Sequence, residues 1–444
     1  MNSVPENALL RSAARSLTNN ASDLDPLIEL AGGSNFVLLG EASHGTHEFY
    51  ETRAALTKRL IQEKGFQAVA VEADWPDAYR VNQYVRGRGN DPSADRALSG
   101  FTRFPVWMWR NRDVEAFVTW LREYNDSRPE HAPQVGFYGL DLYSLYRSRD
   151  EVLRYLEKVD PEAARRARYR YSCFDHFGED EQAYGYAANF NVSQSCEDEV
   201  LRQLKELQQR AYEYMHRDGQ VAEEEFLSAE QNARLIKNAE EYYRAMFHNR
   251  INTWNLRDRH MAETLSTLAA HLDRRFARAK IVVWAHNSHL GDARATERSR
   301  YGEWNLGQLV REHYSQSVLV GFTTYTGTVT AASDWGERHE TKHVRPALTG
   351  SYEAQFHDVG ISRFLVKFAG DECLSRVFRS EHLERAIGVI YRPETERASH
   401  YFFARLADQF DAVLHFDETT AVEPLPHAEE EQTAELPETY PVGV

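Results

Sequence analysis

The stretch from residue 36 to residue 65 constrains this chain most. An apolar run, Phe36-Val37-Leu38-Leu39, stops at Gly40. Glu41-Ala42-Ser43-His44-Gly45-Thr46-His47 follows, and an amphipathic segment over 48–64 closes at Gly65. That order reads as strand, polar turn, helix and glycine C-cap. A second apolar run, Ala68-Val69-Ala70-Val71, ends in Glu72 and Asp74. Two strands that both finish in ionisable side chains predict an open α/β sheet with a site at its carboxyl edge.

Further along, residues 1–30 read as helix, 113–124 as helix, and 134–140 as a strand ending at Asp141. From about 148 to 272 strand-like runs vanish and long periodic segments (197–214, 223–247, 254–272) take over. Strands resume at 280–284, 317–322, 363–368, 386–391 and 411–416. The expected architecture is α/β: a mostly parallel central sheet flanked by helices, with a helical subdomain inserted between strands. The divisions expected are 1–147 and 273–417 for the two parts of the α/β domain and 148–272 for the helical cap. Residues 418–444, with seven Glu, four Pro and no Lys or Arg, read as an acidic disordered tail.

A formal net charge of −16 argues against nucleic-acid or anionic-membrane partners, which attract basic surfaces. No 18-residue apolar run is present and the first ten residues carry no basic-then-apolar leader pattern, so a cytoplasmic protein is expected. Cys173, Cys196 and Cys373 are odd in number and widely spaced, which predicts neither a disulfide framework nor a cysteine zinc site.

Four strand ends carry ionisable residues: Glu41 with His44, Glu72 with Asp74, Asp141, and His286 with His289. Loops at the carboxyl ends of parallel strands converge, so these histidines and carboxylates form one candidate cluster for acid/base or metal chemistry. Arg53 adds to it. It sits inside the apolar face made by Phe49, Leu56 and Leu60, where a guanidinium needs a carboxylate, and Glu41 and Glu72 are the candidates. On 254–272 the stripe Trp254, Met261, Leu265, Leu268 and Leu272 has Arg257 and Asp258 at its edges. Each residue also has a structural explanation: capping for Glu41, His44, His47 and Glu48, turn formation for Asp74 and Asp141, and core packing for Trp107 and Trp109. There is no G-x-S-x-G, Walker A loop, dinucleotide fingerprint or H-E-x-x-H. If the chain is an enzyme, water activated by a histidine is the expected nucleophile.

Gly40-Glu41-Ala42-Ser43-His44-Gly45-Thr46-His47-Glu48-Phe49, Arg53, Glu72-Ala73-Asp74, Asn255-Leu256-Arg257-Asp258 and Trp284-Ala285-His286-Asn287-Ser288-His289 together resemble the erythromycin esterase family, over most of residues 30–417. The resemblance implies an α/β fold and hydrolysis of a carboxylic ester or lactone, macrolide lactones included, without a covalent enzyme intermediate. It makes His44 the general base, Glu41, Arg53 and Glu72 the groups that orient it, and His286 and His289 assistants in the same cleft. Asp74, Arg257 and Trp107 are then the candidates for contacting substrate. The expected partner is a small ester or lactone, with no cofactor and no metal. Two alternatives stay open from the residues alone: a metal-dependent hydrolase using the same His/Glu cluster, and a non-catalytic binder of a small ligand or haem.

Overall fold

A computed structural model describes residues 6–130, 132–190, 192–216, 220–247 and 250–426. Eleven strands occur among them: β1 Arg15–Ser16, β2 Phe36–Leu39, β3 Ala68–Asp74, β4 Gly136–Asp141, β5 Ile281–Trp284, β6 Ser317–Ala331, β7 Glu340–Val344, β8 Arg363–Lys367, β9 His382–Arg385, β10 Tyr401–Ala404 and β11 Ala412–Thr419. Nine form one sheet in the order β1-β8-β11-β6-β2-β5-β3-β4, with β7 also on β6, while β9 and β10 pair separately. The six strands from β11 to β4 run parallel; β8, β1 and β7 are antiparallel additions at the margins. Every residue of β2 and β5 and the first six of β3 are buried, as expected of parallel strands covered on both faces.

This strand order positions the site. The chain leaves β2 for β3 and β4, and returns through the helical segment to insert β5 between β2 and β3. The four strand ends singled out in the sequence therefore belong to four hydrogen-bonded neighbours, β2-β5-β3-β4. Gly40 lets the end of β2 come close to the turn after β5. A Cβ there would overlap the Asn287 carboxamide, which instead bonds the backbone of Phe322 on β6 through Nδ2 (2.7 Å to O) and Oδ1 (3.3 Å from N).

Between β4 and β5 the described residues are helical, including Leu145–Val159, Pro161–Tyr171, Glu197–Gln209, Gln220–Ala245 and Arg250–Asp273. The Arg250–Asp273 helix lies against β4 and buries Trp254, Met261, Leu265, Leu268 and Leu272. None of the described helices is long and apolar enough to cross a membrane.

Five expectations change. In place of one helix over residues 1–30 there are two α-helices, Glu6–Ala13 and Asp25–Ala31, with β1 and a 3-10 turn, Ala21–Leu24, between them, and the first five residues lie outside the described set. Cys173 and Cys196 form a disulfide with Cα atoms 5.9 Å apart, because the turn after Pro161–Tyr171 returns to the start of Glu197–Gln209; Cys373 is free. The run 386–391 joins no sheet: Ile387 and Ile390 make single bridges to Ser43 and Ala332, so its apolar character reflects burial rather than strand pairing. Residues 418–426 are not a tail. β11 runs to Thr419, and the next residues pack across the turn that follows β2, burying Val422 and Leu425. Residues 427–444, the remainder of the expected tail, lie outside the described set. The fifth change concerns the site itself.

Candidate active site

β2 ends in a turn whose shape is fixed from outside. The Gly45 carbonyl accepts the amides of Thr330 and Val422, both at 3.0 Å, and a Cβ at Gly45 would collide with the Thr330 backbone. His44 hangs from this turn, fully buried, with Nδ1 2.9 Å from Glu41 Oε1. The other Glu41 oxygen accepts Arg53 Nη2 at 2.7 Å. Arg53 is likewise fully buried, its guanidinium 4.3 Å from the Tyr50 ring and 5.1 Å from Trp284. Nδ1 faces a carboxylate held by a guanidinium, so it carries the proton, and the Nε2 lone pair points to the side of Glu72 (3.9 Å) and of His286 (ring centroids 5.0 Å).

Glu72, at the end of β3, is equally buried but answers to a different cation. Arg257 Nη2 donates to Glu72 Oε1 at 2.8 Å and to Asp141 Oδ2 at 2.6 Å, while its Nε reaches Asp141 Oδ1 at 2.9 Å. Glu72 Oε2 accepts the backbone amide of His286 at 2.8 Å. Arg53 therefore pairs with Glu41 alone. Arg257, expected to contact substrate, is fully enclosed and cross-links the ends of β3 and β4. Trp107 is corrected in the same way: only 1% exposed, it packs against Phe104 and His339 and so belongs to the core. Asp74 accepts the Tyr143 amide at 2.7 Å and lines a cavity of about 30 Å³ with Phe101, Phe104, Trp109 and Tyr143, immediately beside Glu72. A larger cleft of about 620 Å³ is lined by Asn189, Arg244, Asn255, Arg259 and Trp304, none of them a member of the cluster.

His289 completes the arrangement. Its Nδ1 is 2.9 Å from Asp258 Oδ2, its Nε2 accepts Arg257 Nη1 at 3.1 Å, and its ring stacks on Trp254 at 4.4 Å. Burial, assisted by the adjacent guanidinium charge, lowers its pKa to about 3, so the ring is neutral. Burial and then the neighbouring His44 and His289 push His286 well below its ordinary value too. For Asp141 burial acts upward, but the Arg257 charge and hydrogen bonds outweigh it and hold the carboxyl low. Burial drives Asp258 up, only partly offset by the Leu306 amide. Both ring nitrogens of His289 are engaged, Nδ1 by Asp258 and Nε2 by Arg257. The positive charge beside Glu72 and Asp141 is already supplied by Arg257, and among the described residues no three His, Cys, Asp or Glu side chains form a metal-holding group.

The structure thus brings together Glu41, His44, Arg53, Glu72, Asp141, Arg257, His286 and His289, and leaves Asp74 at the edge and Trp107 outside. Trp254 was read as part of a helical stripe and Asp258 as a residue at its edge and in the Asn255–Asp258 motif, neither as a partner of His289. Their positions four apart, with Arg257 between, were the signal that this face meets something charged.

The erythromycin esterase family model matches residues 61–419. The chain is 30% identical over 124 residues to Erythromycin esterase type II of Escherichia coli, a match spanning 28% of this chain and 27% of that protein. It is 24% identical over 432 residues to YbfO of Bacillus subtilis (strain 168), a protein named as a hydrolase, covering 90% of this chain and 88% of that one. Among solved structures, a protein titled as a succinoglycan biosynthesis protein superposes with a TM-score of 0.77 at 22% identity, covering 94% of this chain and 97% of the other. A mutant of the erythromycin esterase EreC in its open conformation superposes with a TM-score of 0.64 at 17% identity, covering 90% and 94%. At these identities the superpositions establish the fold, and the family model, which spans most of the sequence, establishes the lineage: this chain belongs to the erythromycin esterase family.

Proposed function

We propose that the chain is a hydrolase of a carboxylic ester or lactone, with water as nucleophile and His44 as general base. The observation that carries this reading is the buried relay Arg53–Glu41–His44, with contacts of 2.7 Å and 2.9 Å. Family membership and the hydrolase named in Bacillus subtilis support the reaction class. Glu41 fixes the tautomer that leaves Nε2 basic and stabilises the imidazolium formed when water gives up its proton; Arg53 holds the Glu41 carboxylate in place. The proton on Nε2 then passes to the leaving alkoxide as the tetrahedral intermediate collapses. Glu72 and His286 lie on the Nε2 side of His44, where the water and carbonyl would meet. Enclosure of these groups from solvent strengthens each electrostatic contact.

A panel of simple esters, lactones and 14-membered macrolides, assayed with the wild type and His44→Ala side by side, tests this. The expected result is at least one hydrolysed substrate whose kcat falls on the order of 10²- to 10⁴-fold in the variant. A near-normal rate in His44→Ala would sink the assignment.

A further inference from the structure

His289 is held by two groups that are themselves held by one short segment. Trp254, stacked on the ring, donates its indole Nε1 to the Trp304 carbonyl at 2.9 Å. Asp258, bonded to Nδ1, accepts the Leu306 amide at 2.7 Å. Between them Asn305, 3% exposed, donates Nδ2 to the carbonyls of Ser288 (2.7 Å) and Gly291 (2.5 Å), the turn that carries His289. Its Oδ1 meanwhile accepts the amides of Gln308 (2.9 Å) and Ala293 (3.3 Å). Three consecutive residues thus hold the indole stacked on the ring, the turn on either side of it and the carboxyl group on its Nδ1.

We propose that Trp304-Asn305-Leu306 is a strap that fixes the position and tautomer of His289, with Asn305 a positioning residue for the hydrolytic site. The strap rests on the placement of His289 in that site as read above. Asn305 does two separable things. Through Oδ1 it caps the Leu306–His313 helix, which any hydroxyl or carboxylate can do. Through Nδ2 it clamps the 288–291 turn, which needs a donor of carboxamide length. If capping were its whole role, Asn305→Ser would behave as wild type. If it clamps, the turn loosens, Asp258 and Arg257 no longer meet the two ring nitrogens together, and the unique tautomer is lost.

The test compares wild type, Asn305→Ser and Asn305→Asp by ester turnover, by thermal melting and by nitrogen NMR of histidine-labelled protein. The expected result is a melting point close to wild type in Asn305→Ser, kcat lowered on the order of 10²-fold by misplacement of the turn, and a His289 spectrum changed from one Nδ1–H tautomer to a mixture. Asn305→Asp, which keeps the cap and cannot donate, should match it in kcat and spectrum. An unchanged His289 spectrum in both variants would overturn the proposal, as would a kcat loss that only tracks melting. If the wild type hydrolyses none of the panel, the reading of function fails, and the spectrum alone still decides whether the strap sets the tautomer.

Discussion

Arg53 and Arg257 show how buried charge is apportioned in this molecule. Each guanidinium is fully enclosed and each has its own acid: Glu41 for the first, Glu72 with Asp141 for the second. Removing one member of such a pair strands the other, at a cost of about 3–5 kcal/mol. Glu41→Ala and Arg53→Ala should each lose about that much in urea denaturation, and the double variant should lose clearly less than their sum. Additive losses would mean that the two groups do not compensate each other. Arg53 was legible from sequence because it interrupts the apolar face of its own helix, and that local signal requires a partner. The Arg257–Glu72 contact was not. Its members are 185 positions apart, and nothing in their spacing says which carboxylate a buried arginine will meet.

Helices and strands meet at their ends, and one contact between helix starts has a sign that can be worked out. His47, first in His47–Lys64, bonds Asp113 at the start of Arg112–Asp126 through Nδ1 (2.9 Å). The Asp113 hydrogen bond, opposed by partial burial and aided by the Asp113, Glu48 and Glu51 charges, raises the histidine pKa to about 9. A raised folded-state pKa means that the stabilisation is complete below the unfolded value near 6.5 and disappears as pH rises through about 9. Melting points of wild type and Asp113→Asn should therefore differ at pH 6 and converge above pH 9; a gap that persists at pH 10 would refute the linkage. The side chain is 40% exposed, so screening keeps the effect small. The six parallel strands were legible because each is a short apolar run buried on both faces, from 36–39 through 411–416, whereas the short antiparallel strands Arg15–Ser16, Glu340–Val344, His382–Arg385 and Tyr401–Ala404 carry no such run and were not read. The 386–391 run failed because an apolar segment laid over the turn after β2 has the same composition as a strand. The Cys173–Cys196 link failed because spacing carries no information about where a helical hairpin brings its ends.

At the scale of the whole chain, the turn that carries His44 is completed by the last described residues. Thr420 donates its amide (2.8 Å) and hydroxyl (3.0 Å) to Glu48, Ala421 bridges Thr46, and the Leu425 amide bonds the Arg110 carbonyl at 2.8 Å. A chain ending at Thr419 should melt lower than one ending at Pro426 and lose His44-dependent turnover with it; equal melting points and rates would show that residues 420–426 contribute nothing. The acidic, proline-containing composition of 418–444 concealed this segment, because averaging over 27 positions hides two buried apolar side chains and a few backbone bonds. The overall α/β plan was more accessible than such a latch, since it depends on many repeated signals rather than on one.

The latch also bears on the order of events during synthesis. Glu48 and Thr420 are 372 residues apart, and a ribosome adding about 5–20 residues per second needs roughly 20–75 s to pass from one to the other. For all that time the histidine loop exists without the segment that closes it. A nascent chain stalled before residue 420 has every residue of the Arg53–Glu41–His44 relay but not the segment that fastens its loop, so the fastened loop forms only after residue 420 has been added.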